Sequence, residues 1–209
     1  NNIGPTFSWC KSQALRLNCL VACGYVEKTL ENNNLYNSMM IISPEGQLVY
    51  NTRKTFLYET DKTWATAGDG FGSWYCPWLE RQISFGICMD INPNDFIAPW
   101  EAYEFATSVL ENKSSLILFS SAWNDHNPEE TSNSAMPTIQ YWANRLLPII
   151  DSLQSKKDGE NCYFICSNRT GIERGTSFVG GSCVLELKSP SLLAKAGRFD
   201  EVVLLATLQ

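Results

Sequence analysis

Cys88 is the residue of this sequence best placed to do chemistry, because it ends the apolar run "SFGIC" and precedes the carboxylate of Asp90. A reduced cysteine in an apolar run is usually a small buried hydrophobe, whereas one held at a strand end can be a nucleophile. Such a nucleophile needs a cation to lower its thiol pKa or to stabilise an oxyanion, and a carboxylate to move protons. Lys54, in "NTRKTFL", is a candidate cation, and a solvated strand-end lysine is the alternative.

The sequence lacks the residues that other common catalytic mechanisms require. A single histidine, His126, and the absence of a G-x-S-x-G elbow argue against Ser/His and Cys/His hydrolases. No phosphate-binding or dinucleotide fingerprint occurs, so no nucleotide cofactor is predicted. Eight cysteines without a C-x-x-C pair argue against a structural zinc site. We therefore predict neither a metal nor a cofactor.

The composition limits the partners and the compartment. The formal charge is −6, from 16 basic and 22 acidic residues without a basic run, so binding to nucleic acid or to an anionic membrane is not expected. No apolar run is long enough to cross a bilayer, and the opening "NNIGPTFSWCKS" lacks a signal-peptide pattern. Reduced cysteines, whether they are buried or reactive, fit a reducing compartment. We expect a soluble cytoplasmic protein forming one domain over residues 1–209.

Strands that are apolar throughout alternate with amphipathic helices, which predicts a layered α/β domain with a covered sheet. The predicted helices span 6–17, 99–112 and 136–153, and the predicted strands span 17–27, 36–43, 47–54, 82–91, 114–123, 161–169, 182–188 and 201–208. In two stretches, 61–78 and 124–134, the apolar residues follow neither the period of a helix nor that of a strand. Long loops inside a compact domain are usually functional, so both are expected near a site.

Four stretches in order resemble the landmarks of the nitrilase superfamily of carbon–nitrogen hydrolases: "LYNSMMIISPEGQLVYNTRKTFL", "FGICMDINPNDF", "LILFSSAW" and "NRTGIERGTSFVGGS". The stretches "RKTFLYETD", "GICMDINP" and "YWANRLLP" are most similar to the branch that deamidates N-terminal asparagine and glutamine. The resemblance implies an α-β-β-α sandwich. It also implies that the partners are polypeptide N-termini bearing Asn or Gln. These would become Asp or Glu with release of ammonia, feeding N-degron protein turnover.

The resemblance assigns roles to particular residues. Cys88 matches the nucleophile, which would form a thioester, and Lys54 matches the catalytic lysine. Lys54 and the backbone N–H of Met89 would hold the oxyanion. Of the nearby acids, Asp69 is preferred to Glu59 as a supporting acid.

Substrate binding requires a group that pairs with the α-ammonium, because a desolvated charge must be paired. Asp90 and Asp125 are the candidates, with a strand-end cap or a solvated loop acid as the alternative for each. Trp123 would line the pocket, unless it belongs to the core. The loop Asn168 to Gly171 is expected to shape the site.

One part of the family pattern has no counterpart in this chain. The general-base glutamate of the family lies in an early segment, together with the first strand and helix, and this sequence does not contain that segment. We therefore expect an N-terminally incomplete domain whose missing part exists as a separate piece or an omitted segment, since exposed sheet edges invite aggregation. A small-molecule amidase or ureido-hydrolase of the same superfamily and a non-catalytic binding module are the alternative functions.

Overall fold

Two β-sheets lie face to face and helices cover the outer side of each, in a computed structural model that describes residues 4–156 and 160–209. Within these residues the first sheet is antiparallel, with the order β1 (Val21–Lys28), β2 (Leu35–Ile42) and β3 (Leu48–Arg53). The second sheet has the order β11-β10-β7-β6-β5-β4. Its strands are β4 (Ser73–Cys76), β5 (Arg81–Ile87), β6 (Leu116–Ser121), β7 (Tyr163–Asn168), β10 (Cys183–Glu186) and β11 (Ser191–Lys195). A separate hairpin pairs β8 (Thr170–Glu173) with β9 (Thr176–Val179).

Alternating side chains on the strands build the layers. On β2, Met39 and Ile41 point between the two sheets, whereas Met40 and Ile42 pack under helix α1 (Pro5–Leu17). This period of two is what a strand covered on both faces requires. The first sheet therefore lies between α1 and the second sheet.

A second helical layer covers the outer face of the second sheet. It consists of α2 (Glu104–Glu111), α3 (Met136–Arg145) and α4 (Leu147–Gln154). Trp142 is fully buried there, with ring centroids 6.3 Å from those of both Phe119 and Phe164. The predicted layered α/β architecture is confirmed, with the layers in the order α, β, β, α.

The parallel strands β5, β6 and β7 decide where a site forms. Ile87 pairs with Ser120, and Ser121 pairs with Asn168, so the carboxyl ends of all three strands lie at one edge of the sheet. Residues that follow such strand ends converge at a crevice, the usual ligand site of an α/β sheet. Cys88 follows β5 directly at this edge.

Several predicted boundaries differ from the structure. The predicted helix 99–112 is a short 3₁₀ turn, Trp100–Ala102, followed by α2, because Tyr103 has left-handed backbone geometry with φ 44°. The predicted helix 136–153 divides at Leu146 into α3 and α4, near Pro148, which lacks an N–H for the helix. Among the described residues, no helix is long and apolar enough to cross a membrane.

The predicted strand 201–208 is wrong, since the structure assigns no strand to it. An apolar run needs an adjacent strand edge to become a strand, and Val203 and Leu205 are instead almost fully exposed. The segment is held at its end, where Leu208 packs between the sheets and the Gln209 carbonyl accepts a 2.9 Å hydrogen bond from the Tyr163 hydroxyl. The short strands β4, β8, β9 and β11 were not predicted.

Trp142→Ala should lower the free energy of unfolding by about 3–5 kcal/mol, because it leaves a large cavity in the outer core. Trp9→Ala is the matched control: Trp9 is exposed on α1, and we expect a change within about 0.5 kcal/mol. Urea denaturation of both variants measures the difference. Equal losses would show that Trp142 is not a main contact of this core.

Candidate active site

The candidate nucleophile occupies a strained turn. Cys88 follows β5 and has φ 49°, in the left-handed region that non-glycine residues rarely adopt. Such a conformation costs on the order of 1–3 kcal/mol and persists only where surrounding contacts enforce it. Cys88 begins the 3₁₀ turn Cys88–Ile91, so the predicted strand 82–91 ends one residue before the thiol. The thiol is partly exposed.

The candidate cation is buried and paired. Lys54 follows β3, and its Nζ lies 2.5 Å from Asp61 Oδ2, with the two side chains only 3% and 8% exposed. Asp61 also accepts hydrogen bonds from Asn37 Nδ2 at 3.1 Å and from the Tyr58 N–H at 2.9 Å. A buried ion pair is tolerated only when its remaining hydrogen bonds are satisfied, as they are for this carboxylate. Asp61 therefore fixes the position of the Lys54 ammonium.

The supporting acid was assigned to the wrong residue. Asp69 and Glu59 are both exposed, and neither lines a cavity with Cys88. The carboxylate that contacts Lys54 belongs to Asp61, in the same stretch "RKTFLYETD". Only Asp69 and Glu59 were considered from the sequence, whereas the turn at Tyr58 brings Asp61 back to the lysine.

Asp90 does not face the substrate cavity, which corrects its assignment to substrate binding. Its Oδ1 accepts hydrogen bonds from the N–H groups of Thr55 at 3.0 Å and Phe56 at 2.8 Å, and its Oδ2 accepts one from Ile87 at 2.9 Å. Burial raises the Asp90 pKa to about 6, although the backbone hydrogen bonds and Lys54 oppose this shift. The carboxylate joins the segment after Lys54 to the residue before Cys88.

Asp125 is also occupied, so its assignment as an ammonium ligand is corrected too. Its Oδ2 lies 2.5 Å from Arg198 Nη2, and both side chains are buried. Burial alone would raise the Asp125 pKa, but the hydrogen bond from Arg198 and that from the Asn127 N–H outweigh it and lower the pKa. Asp125 thus anchors the chain around Arg198 to the loop after β6.

Cys88 and Lys54 line one cavity of about 500 Å³. Its wall comes from both sheets, from the loop after Lys54 and from the β8–β9 hairpin, and includes Gly24, Asn37, Tyr58, Asp61, Trp64, Ser121, Asn124, Arg169, Thr176 and Phe178. A smaller lobe of about 50 Å³ adjoins Cys88 and is lined by Tyr58, Met89, Asn92, Phe96, Ala122, Trp123, Asn124 and His126. The two stretches predicted as loops, 61–78 and 124–134, both contribute to these walls.

Trp123 belongs to both the lobe and the core. It lines the small lobe, and its ring centroid lies 5.6 Å from that of Trp142 and 5.7 Å from that of Tyr141. Its backbone N–H donates to Asn168 Oδ1 at 3.0 Å, and Asn168 Nδ2 donates to the Gly180 carbonyl. Asn168 thus links the ends of β6 and β7, in the loop expected to shape the site.

Two residues that the sequence did not single out support the nucleophile turn. The buried guanidinium of Arg145 donates from Nε to the Ile91 carbonyl at 2.8 Å and from Nη1 to the Trp100 carbonyl at 2.6 Å. The Tyr141 hydroxyl donates to Asn92 Oδ1 at 2.6 Å. The only signal for them was a charged residue inside an otherwise helical, half-apolar run, "YWANRLLP".

The site offers three groups for chemistry: a thiol, a buried ammonium, and the Met89 N–H in the first turn of a 3₁₀ helix, where amides lack intrahelical acceptors. No glutamate in the described part of the chain lines either cavity. A groove of about 830 Å³ between α1 and β1 contains Glu27, but neither Cys88 nor Lys54 lines it. Glu27 is bonded to Arg53 there.

Comparisons with known proteins agree with the sequence resemblance. The carbon-nitrogen hydrolase family profile matches residues 2–98. The chain is 34% identical over 204 residues to the protein N-terminal amidase of Schizosaccharomyces pombe, covering 90% of this chain and 68% of that protein. It is 34% identical over 137 residues to the protein N-terminal amidase of Saccharomyces cerevisiae, covering 57% of this chain and 30% of that protein. A crystal structure of N-terminal amidase with an Asn-Glu-Ala peptide superposes with TM-score 0.79 at 21% identity, covering 94% of this chain and 79% of that one. The predicted sandwich fold is therefore confirmed.

Asp61→Asn should lower the free energy of unfolding by about 3–5 kcal/mol, because it leaves the buried Lys54 ammonium without its counter-charge. Asp95→Asn is the control, since Asp95 pairs with Lys62 at the same 2.5 Å but with side chains 46% and 51% exposed. Removing an exposed pair changes stability by at most about 1 kcal/mol. Chemical denaturation at pH 7 separates the two. Similar losses in both variants would contradict the special role of Asp61.

Asp90 should make stability depend on pH. Its folded pKa of about 6 exceeds the ordinary value of 3.8, so the folded state binds more protons between these values. The stabilising contribution is complete below about pH 4 and is lost as the pH rises through about 6. The free energy of unfolding of the wild type, relative to that of Asp90→Asn, should fall by about 2 kcal/mol from pH 4 to pH 7. Urea titrations across this range measure it, and a constant difference would refute the shift.

Proposed function

The chain belongs to the carbon–nitrogen hydrolase family, and we propose that it deamidates asparagine or glutamine at the N-terminus of polypeptides. The observation that carries this proposal is the shared cavity of Cys88 and Lys54, which opens to solvent at the edge where both sheets end. The similarity to protein N-terminal amidases over 90% of the chain supports the same substrate class. The products are an N-terminal Asp or Glu and ammonia.

We propose for the nucleophile and the oxyanion donors the residues that the family resemblance implies. The Cys88 thiolate attacks the side-chain amide carbon, and the developing oxyanion is held by the Lys54 ammonium and the Met89 N–H. The carbon–nitrogen bond breaks as the nitrogen gains a proton, ammonia leaves, and a thioester to Cys88 remains. Water then cleaves the carbon–sulfur bond and yields the carboxylic acid. We assign proton transfer to none of the described residues, since no glutamate among them lines the cavity.

Asp61 has a positioning role in this scheme. Asn37 donates to Asp61 Oδ1, whereas the Tyr58 N–H and the Lys54 ammonium both donate to Oδ2, so the carboxylate is held from both sides and fixes the ammonium. Donors that are fixed before the reaction stabilise a developing charge without reorganisation, which is the largest single term in many enzymes.

The α-ammonium of the substrate is not received by a free carboxylate from the described residues. Among those that line the larger cavity, Asp61 is the only carboxylate, and it is bonded to Lys54. Amide oxygens of Asn37 and Asn124 and the aromatic rings of Tyr58 and Trp64 remain. Aromatic faces attract ammonium groups by roughly 0.5–2 kcal/mol.

A small-molecule amidase of the same superfamily is the less favoured reading. It would enclose its substrate, whereas this cavity is open to solvent. A non-catalytic binding module would not need a strained cysteine next to a buried lysine.

We further propose that the reaction feeds N-degron protein turnover and takes place in the cytoplasm. All eight cysteines are free, which fits a reducing compartment. Conversion of an N-terminal Asn or Gln into Asp or Glu changes the residue that such turnover recognises.

Ammonia release from an Asn-initiated peptide, its N-acetylated form and a ureido acid tests the proposal in the full-length protein. We expect turnover of the free-amine peptide and a loss of roughly thirtyfold on acetylation, which removes an ammonium worth up to about 2 kcal/mol against the aromatic rings and adds bulk in the cavity. Equal rates for the two peptides would favour the small-molecule amidase.

Cys88→Ala should abolish ammonia release without changing thermal stability, because the thiol is small and only partly buried. Cys19→Ala, which alters another partly exposed cysteine outside both cavities, should retain the parent rate. Turnover by Cys88→Ala would reject the thioester mechanism.

A further inference from the structure

Arg169 lies at the mouth of the cavity that Cys88 and Lys54 share, and the chemistry above gives it no role. It follows β7 directly, and its backbone is fixed on both sides. Its N–H donates to the Ser121 carbonyl at 3.0 Å, and its carbonyl accepts from the Gly180 N–H at 2.9 Å. The side chain therefore starts from a rigid position at the carboxyl ends of β6 and β7.

The guanidinium keeps capacity for a further partner. Arg169 Nη2 lies 2.5 Å from Glu173 Oε2, but these side chains are 44% and 51% exposed. An exposed pair of this kind is worth at most about 1 kcal/mol, and a guanidinium has five donors. Arg169 Cζ also lies 4.5 Å from the centroid of the Phe178 ring, which holds the plane of the group beside the cavity wall.

The charges of the cavity wall favour an anion at this point. Of the described residues that line the larger cavity, the charged ones are Lys54, Asp61 and Arg169. Lys54 and Asp61 neutralise each other in the interior. Arg169 pairs with Glu173, which does not line the cavity, so the residues of the wall carry a net positive charge at Arg169. Guanidinium groups bind carboxylates with two parallel hydrogen bonds.

We propose that Arg169 binds the acidic side chain of the second residue of the substrate and so determines a preference for N-terminal Asn-Glu or Asn-Asp sequences. This inference rests on the proposed function, because it places the first residue at Cys88 and the rest of the chain at the mouth. A neutral second residue leaves the charge of Arg169 facing solvent and Glu173.

The experiment compares kcat/KM for two C-terminally amidated peptides, Asn-Glu-Ala-Gly and Asn-Gln-Ala-Gly, with the full-length protein. We expect a preference of roughly two- to fivefold for the acidic peptide, as a half-exposed ion pair provides. The preference should decline at high salt, because exposed charges are screened. Asn-Gly as free acid and as amide shows separately whether a terminal carboxylate replaces the side chain.

Arg169→Gln should bring the Glu/Gln ratio to one, whereas Arg174→Gln should leave it as in the parent. Arg174 is the matched control: it is an exposed arginine of the same hairpin that does not line the cavity. A ratio of one in the parent, or a ratio that persists in Arg169→Gln, overturns the proposal.

Binding to the Cys88→Ala variant separates this inference from the proposed function. The affinities of the product-like peptides Asp-Glu-Ala-Gly amide and Asp-Gln-Ala-Gly amide should differ by the same factor, and Arg169→Gln should remove the difference. If no peptide yields ammonia while this difference remains, the deamidation proposal fails and the role of Arg169 stands. If the affinities are equal, the role of Arg169 is rejected whatever the turnover.

Discussion

A single buried carboxylate holds the two halves of the site together. Lys54 follows a strand of the first sheet and Cys88 follows a strand of the second, and the Asp90 side chain accepts backbone N–H groups from beside each of them. Burial disfavours the charge of this group and raises its pKa, so the three hydrogen bonds offset a desolvation cost. Within residues 4–156 and 160–209 no strand pairing joins the two sheets, so this polar link adds to their hydrophobic packing in fixing the two segments relative to each other.

The other polar contacts serve the same edge of the sandwich. Arg145 and Tyr141 support the nucleophile turn from the helical layer, and Asn168 joins the ends of β6 and β7. A strained φ at Cys88 survives because this surrounding network fixes the backbone on both sides of it. The rigid part of the site is thus the set of strand ends, and loops and the β8–β9 hairpin complete the cavity wall.

Most acids near the site are used by the protein itself. Asp61, Asp90 and Asp125 each have internal partners, which are an ammonium, three amides and a guanidinium. Of the described residues that line the larger cavity, amide side chains and aromatic rings are the groups left for a substrate ammonium, and Arg169 gives this lining its net positive charge. Because of this distribution, we assign charge recognition to the substrate residue that follows the first one.

The sequence alone determined the layer pattern and the two candidate reactive residues, Cys88 and Lys54. Strand and helix periods are local properties, and the ordered motifs lie within short stretches. Prediction from the sequence failed where a choice depended on distances between residues in the folded protein. It preferred Asp69 to Glu59 and did not consider Asp61, gave Asp90 and Asp125 to the substrate, and made a strand of 201–208. A carboxylate is identified as a partner by the cation or amides that the fold brings within 3 Å, and a strand exists only if another strand offers its edge. Those pairings join residues far apart in the chain, so only the tertiary structure decided them.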